Sequence, residues 1–344
     1  MSSNFPDSID GPRAMKRKSI TLSQQNLVGE SYFDNTSLPV VFKPAVEGLS
    51  LPQWAKDNVE LIKERLGTVG ALLMRGFKTP TVAEFEEFLN IVAGDLVDYS
   101  YRSTPRELVS GKIYTSTEYP AHQTIPLHNE LSYSRQWPMM LGFFCVHPSD
   151  EGGETPIADS RKVLARIDPE LQNKFSRLQV LYVRNYGDGL DLSWEDVFQT
   201  SERAEVEEFC RTAGIAWTWK SNGRLNTAQI CQAVATHPQT GEQVWFNQAH
   251  LFHVSGLEPE VRNALLESEG DELPRNTFYG DGSVIEDAEL DAIRSAYEQE
   301  KVVFQWERGD VLLVDNMLVA HGRRPYRGER KVVVGMGQIY DGVS

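Results

Sequence analysis

Two histidines and one glutamate have the types and the spacing of metal ligands. His128 and Glu130 stand two residues apart in segment 127–134, and His321 lies far along the chain in segment 315–323. If residues 127–134 are extended, alternate side chains share a face, so His128 and Glu130 point the same way. Two imidazoles and one carboxylate that leave other metal positions open are typical of non-haem Fe(II) centres. The sequence therefore predicts a mononuclear metal site.

Polar side chains near these positions are candidates for substrate contacts. Ser132 and Ser134 would share the predicted face with His128, although hydroxyl groups are also common on half-buried strands. Asn247 and Gln248 follow a predicted strand, where satisfying the end of a sheet is an equally good interpretation. The other five histidines have no partner at ligand spacing and are interpreted as core or surface residues, and among them His122 and His250 are the two exceptions to consider, with His122 kept as a candidate for substrate contact.

The order of the chemical residues resembles a known family. Thr155 follows Glu130, and Arg330 comes nine positions after His321. This order resembles the taurine dioxygenase family, the TauD/TfdA-type oxygenases that depend on Fe(II) and 2-oxoglutarate. The resemblance covers about residues 45–340 and includes four short segments, namely 246–248, 308–310, 315–316 and 321–323.

The resemblance implies a role for each matching residue. His128, Glu130 and His321 would bind Fe(II), and Thr155 and Arg330 would hold the distal carboxylate of 2-oxoglutarate. The chemistry of the side chains suits this, because the planar fork of arginine pairs with two carboxylate oxygens and a threonine hydroxyl adds one donor. With O2 as the third component, the implied activity is that of a dioxygenase.

Departures from the usual family pattern narrow the expected substrate. Many members have a second arginine where this chain has Val334, so a taurine-like sulfonate is not expected. Glu130 replaces the commoner aspartate, as in clavaminate synthase-like members. The segments around His128 and Phe246 are most similar to natural-product amino acid hydroxylases, including the syringomycin-pathway aspartyl hydroxylase. An amino acid or related small polar metabolite, free or bound to a peptidyl carrier protein, is therefore the expected substrate, in secondary-metabolite (antibiotic) biosynthesis.

The carboxylate ligand also bears on the reaction. Related halogenases have alanine or glycine in place of the carboxylate, which makes room for chloride, so Glu130 favours hydroxylation. Desaturation or cyclisation by the same chemistry remains an alternative, as does a different class of protein. The same three ligands could hold Zn(II) in a hydrolase, or the domain could be a catalytically inactive metal-binding module. Arg330 with Thr155 discriminates, because a hydrolase needs no receptor for a distal carboxylate.

A basic corner follows His321. Arg323, Arg324, Arg327 and Lys331 lie close together in an acidic protein. Arg323, Arg324 or Arg327 is a candidate for binding a substrate carboxylate, or the phosphopantetheine phosphate and acidic surface of a carrier protein, and Arg323 is the one carried forward as a site residue. The alternative is that these side chains are solvated on a turn.

The elements that position these residues have an α+β pattern. Many short strands separated by turns predict a double-stranded β-helix (a jelly-roll, cupin-like core) with flanking helices. Residues 31–344 are predicted to form one domain, with a helical insertion at about 160–213, after a flexible tail of residues 1–30. Helices are predicted at 52–66 and 81–92, the second with a capping box, and closing strands at 302–306, 310–314 and 331–339.

Composition limits the partners. Asp and Glu outnumber Lys and Arg by 49 to 34, giving a net charge of -15 that argues against nucleic acid. The sequence contains no long apolar run, so no membrane span is predicted. No apolar segment follows the basic N-terminal residues, so no secretory signal is predicted and a cytoplasmic protein is expected. Three cysteines without metal-type spacing are predicted to be buried thiols.

Overall fold

The computed structural model describes residues 27–78, 81–98, 101, 103–104, 106–116, 119–187, 191–221, 223–270 and 272–340. Helices and sheets are mixed along the chain, as the predicted α+β class requires. The strands are β1 (Val28–Ser31), β2 (Val40–Pro44), β3 (Ala71–Met74), β4 (Leu108–Ser110), β5 (Ile113–Thr115), β6 (Ile125–His128), β7 (Trp137–His147), β8 (Glu151–Gly152), β9 (Ile157–Asp159), β10 (Val180–Tyr186), β11 (Ala216–Trp219), β12 (Leu225–Cys231), β13 (Val234–Thr236), β14 (Gln243–Trp245), β15 (Arg275–Tyr279), β16 (Val311–Asp315), β17 (Val319–Arg323), β18 (Tyr326–Arg327) and β19 (Lys331–Tyr340). The helices are α1 (Leu51–Asp57), α2 (Val59–Val69), α3 (Val82–Ala93), α4 (Ser160–Arg166), α5 (Pro169–Leu178), α6 (Trp194–Phe198), α7 (Arg203–Ala213), α8 (Ala249–Phe252), α9 (Pro259–Glu269) and α10 (Asp287–Glu300), with a 3-10 turn at Val254–Gly256.

The largest sheet among the described residues has eight strands. Its strand order is β1-β2-β3-β16-β7-β19-β5-β4, with β2 and β3 parallel and the other pairs antiparallel. The long strand β7 is buried on both faces, which explains why its sequence is a continuous apolar run rather than an alternating one. Phe144 packs under α3 with Phe85, whereas Phe143 lies on the opposite face and its ring is 5.0 Å from that of His321.

A second, three-stranded sheet carries the candidate ligands, in the order β6-β17-β9. In this sheet His321 is directly opposite His128 across an antiparallel pair, and Ile157 flanks His321 on the other side. Directly opposed residues in an antiparallel pair project from the same face with their Cβ atoms close together. The strand pairing therefore brings together two histidines that are far apart in the sequence.

The prediction of an extended segment over residues 127–134 is wrong. Strand β6 ends at His128, and the chain then turns, with Leu131 in the left-handed region at φ 56°. Glu130 and Ser132 are consequently not on one face of a strand with His128. The two-residue alternation fails because buried polar contacts bend the chain immediately after His128.

Other local predictions have mixed outcomes. The capping box is confirmed, since the Thr81 hydroxyl accepts from the Glu84 amide and the Glu84 carboxylate accepts from the Thr81 amide. The helix predicted at 52–66 is broken into α1 and α2 at Asn58, whose φ of -130° is not helical. The strand predicted at 302–306 is wrong, because only Val302 makes a β-bridge there.

The region of the predicted insertion contains helices α4 to α7 together with strand β10. Strand β10 is a central member of a four-stranded sheet, in the order β11-β12-β10-β15, so this layer extends well beyond residue 213. The predicted tail lies outside the described residues up to residue 26, and its boundary at residue 30 falls inside β1. The three cysteines are buried and unpaired. Within the described residues, no helix has the length and apolar character needed to cross a membrane.

We expect Gly70→Ala to disrupt the support of the histidine strand. Gly70 ends α2 at φ +87°, and an added Cβ would lie 2.6 Å from the Val319 side chain in β17 and 3.0 Å from the Cβ atom of Leu318. Positive φ costs about 1–2 kcal/mol for alanine, and overpacking adds about 1–3 kcal/mol. The control is Gly48→Ala, which has a similar φ of +80° but open space around the new methyl group. Urea unfolding should show the larger loss for Gly70→Ala, and equal losses would contradict the packing argument.

Candidate metal centre and co-substrate pocket

The side chains of His128, Glu130 and His321 converge in three dimensions. One potential ligand atom from each residue lies within 4.8 Å of the other two, and the two imidazole ring centroids are 4.6 Å apart. His128 is half-buried, whereas Glu130 and His321 are buried. Among the described residues, this is the group of histidine, cysteine or acidic side chains with the geometry to hold a metal ion.

The imidazoles are in the chemical state that a metal requires. Nδ1 of His128 donates to the carbonyl oxygen of Pro126 at 2.8 Å, which leaves the lone pair on Nε2. Burial lowers the pKa of His128 against the opposing attraction of Glu130. Burial, with repulsion from His128 and Arg106, lowers the pKa of His321 well below its usual value. Both rings are therefore neutral at neutral pH, as metal ligands must be.

Asn316 holds the turn that carries Glu130. Its Oδ1 accepts from the Glu130 amide at 2.7 Å, and its Nδ2 donates to the Glu130 carbonyl at 2.9 Å and to the Pro138 carbonyl at 2.8 Å. Asn129 returns the contact by donating from Nδ2 to the Asn316 carbonyl at 2.6 Å. These bonds pair the polar backbone groups of a buried turn, which would otherwise be left unsatisfied.

Asn316 itself is fixed by the preceding residue. Oδ1 of Asp315 accepts from the amides of Met317 and Leu318, and its Oδ2 is 3.0 Å from Nε2 of the buried His237. The segment between β16 and β17 is therefore a rigid, hydrogen-bonded corner. It connects the two sheets and positions both His321 and the Glu130 turn.

Arg106 is a site residue that the sequence analysis missed. It is only 7% exposed, and its Nη2 forms a buried ion pair with Oε2 of Glu130. It lines the same pocket as His128 and His321. Arg106 precedes Glu130 by 24 residues, outside any motif, so no spacing signal identifies it. The requirement that a buried carboxylate be paired with a charge predicts that such a partner exists, but not which residue it is.

Thr155 and Arg330 lie in this pocket with the two histidines. Nε of Arg330 donates to the Gly153 carbonyl at 2.9 Å, which fixes the guanidinium group. Burial, reinforced by repulsion from Arg323, lowers the pKa of Arg330 to about 10. The arginine therefore remains charged at neutral pH and presents a half-buried cation to the pocket.

Trp306 orients the Thr155 hydroxyl. Its indole Nε1 donates to Thr155 Oγ1 at 3.1 Å, and both side chains are buried. Because the hydroxyl oxygen already accepts this bond, its own proton is available to a ligand oxygen. Trp306 is a buried core residue whose indole N–H also contributes to the pocket.

Four of the predicted substrate contacts are engaged elsewhere or lie away from the metal cluster. Ser132 donates to the Asn129 carbonyl at 2.9 Å, and Gln248 donates to the same carbonyl at 2.7 Å. Asn247 donates to the Ala233 carbonyl at 2.9 Å. His122 is exposed and does not line the pocket. These side chains therefore support the fold around the site or lie outside it.

The remaining two candidates have different surroundings. Ser134 lines a separate cleft with Tyr101 and Phe209. Arg323 does line the metal pocket, but its terminal nitrogens donate to the backbone carbonyls of Tyr119, Pro120 and Gln123 at 2.7–3.0 Å. Arg323 is thus committed to holding the loop at residues 119–123.

Comparison with known proteins gives a consistent family assignment. A family model described as "Taurine catabolism dioxygenase TauD, TfdA family" matches residues 34–336. Dapdiamide synthesis protein DdaC of Enterobacter agglomerans is 44% identical over 276 residues, which cover 80% of this chain and 84% of that protein. A clavaminate synthase-like protein of Arabidopsis thaliana is 28% identical over 327 residues, 89% of this chain and 96% of that protein.

A solved structure has a similar fold. The crystal structure of PvcB from Pseudomonas aeruginosa matches with a TM-score of 0.55 at 15% identity, covering 92% of each chain. At this identity the likeness concerns the fold alone. Together with the family match, it confirms the resemblance inferred from the motifs.

Comparing Asn316→Ala with a control variant tests whether Asn316 positions a metal ligand as well as stabilising the fold. Asn316→Ala leaves the buried amide and carbonyl of Glu130 unsatisfied, so we expect a loss of about 2–4 kcal/mol in unfolding free energy together with weaker Co(II) binding. The control is Asn185→Ala, which removes another buried amide, one that donates to the Leu273 carbonyl at 2.8 Å in the four-stranded sheet. The control should lose stability but keep its Co(II) affinity. Unchanged Co(II) affinity in folded Asn316→Ala would contradict the positioning role.

Proposed function

Because the chain belongs to the TauD, TfdA family of dioxygenases, we propose that it hydroxylates an unactivated C–H bond of an amino acid or related small polar metabolite. The chain is an Fe(II)- and 2-oxoglutarate-dependent dioxygenase, as the family assignment establishes. The observation that carries the finer proposal is the convergence of His128, Glu130 and His321, together with the pocket that the two histidines share with Thr155 and Arg330. The eight-stranded sheet and the three-stranded sheet that carries the two histidines would form the double-stranded β-helix of such enzymes.

In this proposal His128, Glu130 and His321 hold Fe(II). The donor set fits the ion, since two neutral imidazoles and one carboxylate leave positions open for other ligands. Bound iron would supply the capacity to activate O2 while 2-oxoglutarate is oxidised to succinate and CO2. The residues of this chain supply the geometry. The Pro126 carbonyl fixes the His128 ring, and Asn316 fixes the turn of Glu130.

Thr155 and Arg330 are proposed to bind the distal carboxylate of 2-oxoglutarate. Arg330 offers a cation in a buried pocket, where a charge-assisted bond is stronger than in water. Thr155 adds the hydroxyl proton that Trp306 leaves available. This receptor is the reason to prefer an oxygenase over a zinc hydrolase built on the same three ligands, because hydrolysis of a substrate needs no second carboxylate site.

Three features support hydroxylation of a biosynthetic substrate. Glu130 fills the position that chloride occupies in related halogenases, and its buried contact with Arg106 holds the carboxylate in place. The relative DdaC is described as a dapdiamide synthesis protein, which supports a role in secondary metabolism. A small polar substrate, free or on a carrier protein, suits a pocket lined by several cationic side chains. Desaturation or cyclisation would give a different product from the same site.

Replacing Arg330 should remove 2-oxoglutarate binding selectively. The wild-type protein should form a weak visible charge-transfer band only with Fe(II) and 2-oxoglutarate together, without O2. Arg330→Ala should weaken 2-oxoglutarate in this titration by at least about tenfold, because a charged hydrogen bond is worth about 1.5–3 kcal/mol. Trp306→Phe should weaken it by about two- to tenfold, by removing the donor to Thr155.

The control for this experiment is Arg327→Ala. Arg327 is an exposed arginine on the same turn, with a side chain 85% accessible. Mn(II) affinity should be unchanged in all of these variants. An Arg330→Ala protein that binds 2-oxoglutarate like the wild type would overturn the co-substrate assignment.

A substrate screen tests the substrate class. Succinate release and O2 consumption should be stimulated by an amino acid or its derivative, and mass spectrometry should show a product heavier by one oxygen atom. Running free and carrier-loaded amino acids in parallel separates the two substrate forms. A product lighter by two hydrogens would establish desaturation, and coupled turnover with only a sulfonate or a fatty acid would contradict the proposal.

A further inference from the structure

His237 is a fully buried histidine that does not line the metal pocket. It follows β13, at the start of the turn that leads to β14, and residues 238–241 of this turn are exposed. Its amide donates to the Glu242 carbonyl at 2.8 Å, and its carbonyl accepts from the Gly241 amide at 2.9 Å. A buried imidazole needs hydrogen-bond partners for its ring nitrogens as well, because unpaired polar atoms are costly in the interior.

Both ring nitrogens of His237 have partners, and these partners fix its tautomer. Nδ1 is 3.2 Å from the amide nitrogen of Gln239 and 3.1 Å from that of Thr240. Because a backbone amide only donates, Nδ1 carries the lone pair and the ring proton lies on Nε2. Nε2 is 3.0 Å from Oδ2 of the buried Asp315 and therefore donates to this carboxylate. The ring thus connects an exposed turn to a buried acid.

The Asp315 carboxylate connects His237 to the corner between β16 and β17. Its other oxygen, Oδ1, accepts from the amides of Met317 and Leu318 at 2.9 and 3.0 Å. Within the described part of the chain, the His237 ring is the donor to Oδ2. Asp315 is only 6% exposed, so water is a poor substitute for this donor. Without it, a buried charged oxygen would be unpaired, and the carboxylate would rotate away from the corner amides.

The corner that Asp315 fixes contains Asn316, whose side chain bonds both the amide and the carbonyl of Glu130. Consecutive buried hydrogen bonds therefore join His237 to a proposed metal ligand. The protein interior is closely packed, so a displacement at one end of such a chain is transmitted with little relaxation. Residues that orient metal ligands through hydrogen bonds change the affinity for the metal although they do not touch it.

We propose that His237 is a positioning residue of the metal centre, which sets the placement of Glu130 by donating from Nε2 to the Asp315 carboxylate. The inference rests on the proposed function, since it assumes that Glu130 binds the metal ion. The competing interpretation is that His237 only stabilises its own turn, through the two amides that Nδ1 accepts. The two interpretations assign the importance of the residue to different ring nitrogens, so they can be separated.

Glutamine and asparagine are matched replacements, because each reproduces the function of one ring nitrogen. His237→Gln places an amide N–H near the position of Nε2 but loses the acceptor, which water replaces because residues 239 and 240 are exposed. His237→Asn keeps an acceptor near the position of Nδ1 but is too short to reach Asp315. Co(II) is titrated into each purified protein, and its dissociation constant and visible spectrum are recorded together with urea unfolding.

His237→Gln should keep the Co(II) affinity and spectrum of the wild type. His237→Asn should weaken Co(II) by about tenfold and change its spectrum, as expected when a group that orients a metal ligand is lost. Normal Co(II) binding in His237→Asn with impaired binding in His237→Gln would confine the residue's role to the turn and overturn the inference. Co(II) spectra that do not differ between the two variants would also overturn it.

A double variant tests the hydrogen bond itself. Asp315→Asn keeps an acceptor for the corner amides but places an N–H donor opposite the His237 N–H, so we expect the same Co(II) defect as in His237→Asn. Adding His237→Gln to Asp315→Asn should restore the wild-type spectrum, because the glutamine carbonyl can rotate to accept from the introduced amide. A double variant with a defect as large as that of Asp315→Asn would contradict the proposed route. This comparison decides the question even if His237→Asn does not fold.

Thr240→Ala is the control for damage to the turn. It removes a hydroxyl that accepts from the Glu242 amide at 3.3 Å and leaves the contact between His237 and Asp315 intact. It should lower the stability in urea slightly and leave Co(II) binding unchanged. A loss of Co(II) affinity as large as that in His237→Asn would attribute the effect to the turn as a whole and overturn the inference.

The failures of the two proposals are distinguishable. A wild-type protein that does not bind Co(II) would refute the proposed metal site and this inference with it. Normal Co(II) binding by the wild type that stays unchanged in His237→Asn and Asp315→Asn would refute the inference alone.

Discussion

The antiparallel pairing of His321 with His128 is the constraint on which the rest of the site depends. It joins residues from distant parts of the chain and places their rings 4.6 Å apart on one face of a small sheet. Strand pairing alone cannot place Glu130 beside the two rings. In an extended strand the next residue on the same face would lie two positions further along the strand, away from the histidine pair. The chain instead turns after His128, and hydrogen bonds from Asn316 fix the Glu130 backbone so that its side chain lies close to the two rings. Asn316 belongs to the corner that leads into β17, so a single rigid segment aligns all three side chains.

Charge in the interior is the second determinant. The protein has a net charge of -15, yet three arginines line its pocket. Burying a cation has a large desolvation cost, which is acceptable only where ion pairs, hydrogen bonds or anionic ligands compensate it. Arg106 has Glu130 and Arg323 has backbone carbonyls, whereas a dianionic co-substrate would compensate Arg330. An acidic chain could therefore bind an acidic co-substrate, because cationic side chains line the pocket although the net charge is negative.

Much of this could be predicted from the sequence, and the failures have physical causes. Residue type and spacing were enough to predict that His128, Glu130 and His321 converge. The capping box at Thr81 could be predicted because it depends only on residues three positions apart. The extended conformation after His128 was wrong because tertiary hydrogen bonds from Asn316 override the local pattern. Arg106 and the second role of Trp306 were missed because each acts through a partner that is distant in sequence, Glu130 and Thr155. Pairing between side chains 24 or 151 residues apart leaves no periodic signal.

The commitment of Arg323 links the mouth of the pocket to the metal strand. This residue lies two positions after His321 in β17, and its guanidinium group holds the carbonyls of the loop at residues 119–123. The Tyr326 amide adds a further bond to the Ala121 carbonyl at 2.9 Å. The loop leads directly into β6, which ends at His128. One wall of the pocket and two of the proposed ligands therefore form a single hydrogen-bonded unit, so a change in the loop that admits a different substrate would also disturb the metal site.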